Sequence, residues 1–85
     1  MITLIYSLYD VKGRQYHQMQ LHANNNCARR AYTEQLQDEK SMIRRWPSDF
    51  TVYFLGQFNT ETGVIDTVQG PPEYICSIDE LFPEE

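Results

Sequence analysis

Eighty-five residues, 41% of them apolar, are enough for one domain with one small core. No apolar run nears the ~20 residues that span a bilayer, and Ile2-Thr3-Leu4-Ile5 has neither a basic flank nor a cleavage site, so a membrane or secretory role is excluded and a cytoplasmic one expected. The net charge of −5 hides a division: residues 1–45 hold seven bases and four acids (+3), and residues 46–85 hold eight acids and no base (−8), which suits one surface for an anionic partner and another that repels or mimics it, although an ordinary acidic protein with a solvated tail has the same composition.

The chain opens with Ile2, Leu4, Tyr6 and Leu8 alternating with Thr3, Ile5, Ser7 and Tyr9, the period of two that a β-strand requires. Both faces are partly apolar, so this strand is expected inside a sheet or under a partner. Asp10-Val11-Lys12-Gly13 reads as a turn, and Arg14 to Leu21 as the return strand of a hairpin. Gln15, Gln18 and Gln20 make that strand polar, as suits an edge.

Asn24-Asn25-Asn26 offers a helix N-cap, since a short amide side chain can accept from the free N–H groups of the first turn. Cys27, Ala28, Ala31, Tyr32 and Leu36 follow as one apolar stripe, with the alanines allowing close approach to a sheet. Met42 and Ile43 extend the helix or cap the core. Pro47 then disfavours helix at Trp46 and the chain breaks at Trp46-Pro47-Ser48-Asp49.

Phe50, Val52, Phe54 and Phe58 recur at every second position, with Gly56 in the gap, and predict a central strand with these side chains on one buried face. Asn59 to Gly63 is its turn, with Gly63 suited to positive φ. Val64 to Gln69 completes a second hairpin that Gly70-Pro71-Pro72 ends, and Tyr74, Ile75 and Ile78 can pack on the sheet. The expected fold is therefore α+β: an antiparallel sheet of about four strands, built from two hairpins, with one helix across one face. It occupies residues 1–78, and 79–85 form an acidic tail that is mobile or lies on a partner.

Ala28-x-x-Ala31-Tyr32 on a helix, then Trp46-Pro47-Ser48-Asp49-Phe50, Phe54-Leu55-Gly56-Gln57-Phe58-Asn59 and Thr62-Gly63 form a recognisable series. Together with Ile5-Tyr6-Ser7-Leu8-Tyr9-Asp10 it resembles the small nonstructural proteins of gokushoviruses, the single-stranded DNA phages of the Microviridae, over residues 2 to about 65. Trp46 stands where a histidine is common in that family, and Asn59 where an aspartate is common. The resemblance implies a DNA-binding accessory protein that acts in the host bacterial cytoplasm when replication turns to single-stranded progeny genomes for packaging.

The residues offer little for catalysis. No nucleophile has a base and an orienting partner at a recognisable spacing, and no paired-carboxylate or phosphate-loop motif occurs, so no enzyme and no cofactor are expected. Cys27 and Cys76 lack metal-ligand spacing and read as free thiols, and His17 and His22 have no co-ligand, so no metal is expected. Single-stranded DNA binding needs cations that track the backbone and aromatic rings on which bases stack. Candidates fall in three groups: Lys12, Arg14, Tyr16 and His17; Arg29 and Arg30; and Arg44, Arg45 and Trp46. Each has a plainer structural use: Tyr16 in sheet packing, the helix arginines as a solvated face, Trp46 as a core plug. The alternative function is that of an adaptor binding a viral or host replication or assembly protein, with Leu81 and Phe82 of the acidic tail as its contact. A homodimer would cover the second face of the first strand.

Overall fold

The computed structural model describes residues 1–81. Six strands form one antiparallel sheet: β1 (Ile2–Asp10), β2 (Gln15–Tyr16), β3 (Gln20–His22), β4 (Phe50–Asn59), β5 (Ile65–Thr67) and β6 (Glu73–Ser77). β1 and β4 pair along their whole length at the centre, as their apolar alternation predicts. β2 and β3 share the outer edge of β1, while β5 and β6 share that of β4, so the six strands make four rows. The α+β architecture of two hairpins and one main helix is thus observed, with both edge rows interrupted.

Local chemistry explains the interruptions. After Tyr16 the return strand leaves the ladder, and the Ser7 hydroxyl, fully buried, donates to the His17 carbonyl at 2.6 Å. The second hairpin turns at Asn59, whose Oδ1 accepts from the Glu61 and Thr62 N–H groups, and Gly63 takes the positive φ expected of it (77°). Pairing then ends at Thr67. The chain returns to β4 as β6, a strand that Tyr74-Ile75-Cys76 did not reveal, because a bulge within it leaves Ile75 out of the period-two pattern.

A bulge in β4 changes the expected register. Tyr6 faces Phe54 while Ile5 faces Gly56, leaving Leu55 without a cross-strand partner. Alternation restarts there, so Phe58 lies on the opposite face from Phe50, Val52 and Phe54. Gly56 permits the bulge: its φ is 155°, and a Cβ would sit 2.2 Å from the Asp66 carbonyl oxygen.

Helix α1 (Asn25–Gln35) covers one face of the sheet. Asn24 is its N-cap, accepting the Cys27 N–H at 2.8 Å, and Ala28, Tyr32 and Leu36 face inward. They close a core with Tyr6, Leu8, Phe50, Val52, Cys76 and Ile78, joined by Ile43 from a short helix, α2 (Met42–Arg45). Each large aliphatic or aromatic side chain buried there stabilises the fold by about 1.5–3 kcal/mol. Tyr6 hydrogen-bonds Asn25 at the helix start. The Tyr32 hydroxyl is buried without a partner, and burial pushes its pKa up to about 12. Cys27 and Cys76 are free thiols, and burial raises the pKa of Cys76. No helix among the described residues is long and apolar enough to cross a membrane.

Asp79 to Leu81 do not extend from the domain as a free tail. Residues Ile78–Leu81 form a 3₁₀ turn with Ile78 fully buried and Leu81 packed against the core. Phe82 lies outside the described residues.

Candidate nucleic-acid interface

No helix covers the sheet face opposite α1, although Ile5 and Ser7 on it are buried by their neighbours. Cross-strand pairing places Tyr16 beside Tyr9 and Tyr53 beside Tyr74, so four tyrosines from β2, β1, β4 and β6 form a row across all four rows of the sheet. Ring centroids lie 4.9 Å apart for Tyr16–Tyr9, 6.3 Å for Tyr9–Tyr53 and 6.3 Å for Tyr53–Tyr74, tilted or edge-on. Tyr16 also meets Tyr53 at 5.8 Å. Such geometries are attractive for aromatic pairs and hold the rings in place while leaving Tyr16 and Tyr74 exposed. Desolvation, then the neighbouring Tyr53 and Tyr9, raise the Tyr16 pKa, and desolvation followed by a hydrogen bond to Glu80 raises that of Tyr74.

The row begins at the β1–β2 turn, which Asp10 builds. Its Oδ1 accepts the Lys12 and Gly13 N–H groups, both at 3.0 Å, and its Oδ2 lies 3.4 Å from His17 Nε2. The bond from Gly13, with help from His17 and Lys12, holds this carboxyl below its ordinary pKa against the opposing effect of burial. Arg14 has a left-handed backbone (φ 55°) at the turn's exit. Lys12 and Arg14 are thus carried at the Tyr16 end of the row.

On its other side the turn borders a hollow of about 360 Å³ lined by Asp10, Lys12, Met42, Trp46, Asp49 and Phe50. Trp46 is no core plug: Ile43 takes the core position, and the indole is 51% exposed, with the Arg45 guanidinium 5.6 Å from its ring centroid. The Val11 N–H donates to the Asp49 carbonyl at 3.0 Å, fixing the turn to the 3₁₀ segment Pro47–Asp49 that forms the opposite wall.

Of the expected residues, Lys12 and Trp46 therefore line one hollow, with Arg45 against the indole, while Arg14 lies in the turn and Tyr16 on the open face. Others are placed elsewhere. His17 turns to the helix side, 5.6 Å from the Phe50 ring. Arg44 donates to the Leu36 carbonyl at 2.9 Å, capping the C-terminus of α1, where a cation suits the helix dipole. Arg29 reaches the Ile75 carbonyl at 3.5 Å, and Arg30 stands by Cys27 on the same helix. Tyr9, Tyr53 and Tyr74 were not foreseen. Tyr9 and Tyr53 occupied the mixed faces of their strands in the sequence, a signal for a shared face that only the pairing of β1 with β4 makes visible.

The acids of the second half are dispersed. Glu61 lies in the β4–β5 turn at the far end of the sheet, bonded to the N-terminal amine. Asp66 and Glu73, paired with Gln57 and Phe54, point to the helix side by strand alternation. Glu80 accepts from Tyr74 Oη at 3.2 Å and so borders the far end of the row.

The open face also carries an apolar hollow of about 290 Å³ at the other end of β1, lined by Ile5, Met19, Leu21, Phe58 and Ile65. Met19, Leu21 and Ile65 are 59%, 49% and 56% exposed.

No curated protein and no solved structure matches the chain. A family model described as Phage ORF5 protein does match, over residues 3–81, which takes in every strand, the helix, the tyrosine row and both hollows. The chain is a member of the Phage ORF5 protein family.

Proposed function

We propose that the protein is a non-enzymatic phage accessory factor that binds single-stranded DNA during genome replication or packaging. The observation that carries this reading is the row Tyr16–Tyr9–Tyr53–Tyr74 across the open sheet face, with Lys12 and Arg14 in the turn that leads into β2. A row of two exposed rings, Tyr16 and Tyr74, joined by the half-buried Tyr9 and Tyr53, gives bases a surface to stack on, at about 1–3 kcal/mol per base, and cations of the turn meet the backbone phosphates. Duplex DNA keeps its bases stacked on one another, so the face favours single strands. The chain's net charge of −5 opposes any polyanion, so binding is weak and salt-sensitive.

Fluorescence anisotropy with a labelled single-stranded oligonucleotide at several salt concentrations tests this. Contact with three or four phosphates gives a slope of log K against log salt of about −2 to −3, from ~0.7 per phosphate. Lys12→Ala with Arg14→Ala should flatten that slope by about 1.4, whereas Tyr53→Ala should weaken binding and leave the slope unchanged. Absence of binding at low salt, in the full chain and in a chain lacking residues 82–85, would give way to the adaptor reading.

The apolar hollow favours that second reading. An uncharged patch with exposed Met19, Leu21 and Ile65 suits an apolar surface on a protein partner, and a second copy of this acidic chain would cover it too. Light scattering should then give about twice the chain mass of 10.1 kDa, and Leu21→Glu should return it to the monomer. A viral or host replication protein is the other occupant that this reading allows.

A further inference from the structure

Apart from Lys12, the residues of the Trp46 hollow are ones that the strand-binding reading does not use. One wall is apolar and planar, with Trp46 beside Met42 and Phe50. Two of its polar residues are carboxylates, in different states. Asp10 spends its oxygens on its own turn. Asp49 has its backbone N–H bonded to the Trp46 carbonyl and its own carbonyl bonded to Val11, both at 3.0 Å, so its position is fixed. Among the described residues its side-chain carboxylate meets no donor, although it is only half-exposed. Lys12 in the same hollow and Arg45 over the indole supply positive charge.

A ligand for this hollow therefore needs a flat ring for the indole, an anionic group for Lys12, and hydrogen-bond donors for Asp49. A nucleotide has the first two. The third selects among bases, because an ionised carboxylate only accepts. Guanine presents N1–H and N2–H side by side, matching the two oxygens of one carboxylate. The donors of adenine, cytosine and thymine are flanked by acceptors that a carboxylate repels. A volume of about 360 Å³ is at the small end of ligand pockets and suits one nucleotide.

We propose that this hollow is a guanine-selective nucleotide pocket, with Trp46 stacking the base, Asp49 accepting from its N1–H and N2–H, and Lys12 meeting the phosphate. The proposal rests on the single-strand reading, with the hollow and the tyrosine row on opposite sides of the β1–β2 turn, and it can be tested apart from it.

Trp46 is the chain's one tryptophan, so its fluorescence reports this hollow alone. The full chain is titrated with dGMP, dAMP, dCMP and TMP. Quenching by dGMP at concentrations about tenfold below the other three is expected, the scale of one bidentate base contact. Asp49→Asn should fold as the parent does, judged by circular dichroism, and lose the preference, because its amide offers a donor where guanine has donors. Lys12→Ala should weaken all four nucleotides equally and keep their order. Equal quenching by all four, no quenching at millimolar concentration, or an unchanged preference in Asp49→Asn would each overturn the pocket. Strand binding that is sensitive to Tyr53→Ala but blind to guanine content would remove the pocket and leave the strand reading standing. Discrimination of dGMP without strand binding would do the reverse.

Discussion

The two faces of the sheet are built by the same strands and are both rich in aromatic and aliphatic side chains, yet one is core and the other is surface. On the helix side Tyr6, Leu8, Phe50 and Val52 are buried under Ala28, Tyr32 and Leu36. On the open side Tyr9, Tyr16, Tyr53 and Tyr74 pack against one another, and Met19, Leu21 and Ile65 stay exposed. The difference lies in the connections. The segment between β3 and β4 carries α1 and α2 over one face, whereas every link on the other side is a short turn. Apolar character alone thus does not tell a core from a binding surface. Whether a connection is long enough to cover the face does, and the face left uncovered is the one on which the proposed function rests.

Substitutions on the two faces can break this comparison, and the largest effect is expected in the core. Phe50→Ala should cost about 3–5 kcal/mol in urea unfolding, because Phe50 is 2% exposed and the cavity cannot fill from solvent. Tyr53→Ala, three positions along the same strand and on the open face, should cost less than half as much; equal losses would make the open face structural too.

Gly56→Ala is expected next, at about 2–4 kcal/mol, since it adds left-handed strain to a Cβ contact of 2.2 Å with the Asp66 carbonyl. Straightening the bulge would return Phe58 to the helix side and dismantle the apolar hollow, so any self-association through that hollow, as proposed above, should be lost along with stability. A variant of parental stability would show that the bulge does not set the faces.

Tyr32→Phe should be stabilising by about 1 kcal/mol at neutral pH, because it removes a buried hydroxyl with no partner. Its pH dependence sharpens the point. Burial holds the Tyr32 pKa near 12, above the ordinary value of 10, so the folded state favours the neutral phenol. That preference is harmless below pH 10 and costs stability as the unfolded chain ionises between pH 10 and 12. The phenylalanine variant should lose less stability than the parent across that window in thermal melts.

The smallest stability effect belongs to Tyr74→Ala on the exposed end of the row, expected within about 0.5 kcal/mol of the parent. Strand affinity measured by anisotropy should nonetheless fall. An effect on stability without one on affinity would separate the row from DNA.

Much of the fold was legible along the chain. Period-two alternation located β1 and β4, Asn24 marked the helix start, and Ala28, Tyr32 and Leu36 marked its inner stripe. These signals are local: each follows from a side chain and its neighbours within a turn or a pleat. The β4 bulge was not legible, because Gly56 in an apolar run looks like an ordinary gap until Asp66 is brought against it. β6 escaped for a similar reason, its own bulge breaking the alternation.

The site divides the same way. Lys12, Tyr16, Arg45 and Trp46 are visible as cations and rings close in sequence. By contrast, Arg44 looks equivalent to Arg45 until the helix end at Leu36 claims it. The sequence by itself determined which segments are strands and helix, since backbone preference and side-chain period act over a few residues. Tertiary structure alone decided which face is covered, which tyrosines stand in one row, and that Asp49 shares a hollow with Lys12, because cross-strand pairing joins residues that the chain keeps some forty positions apart.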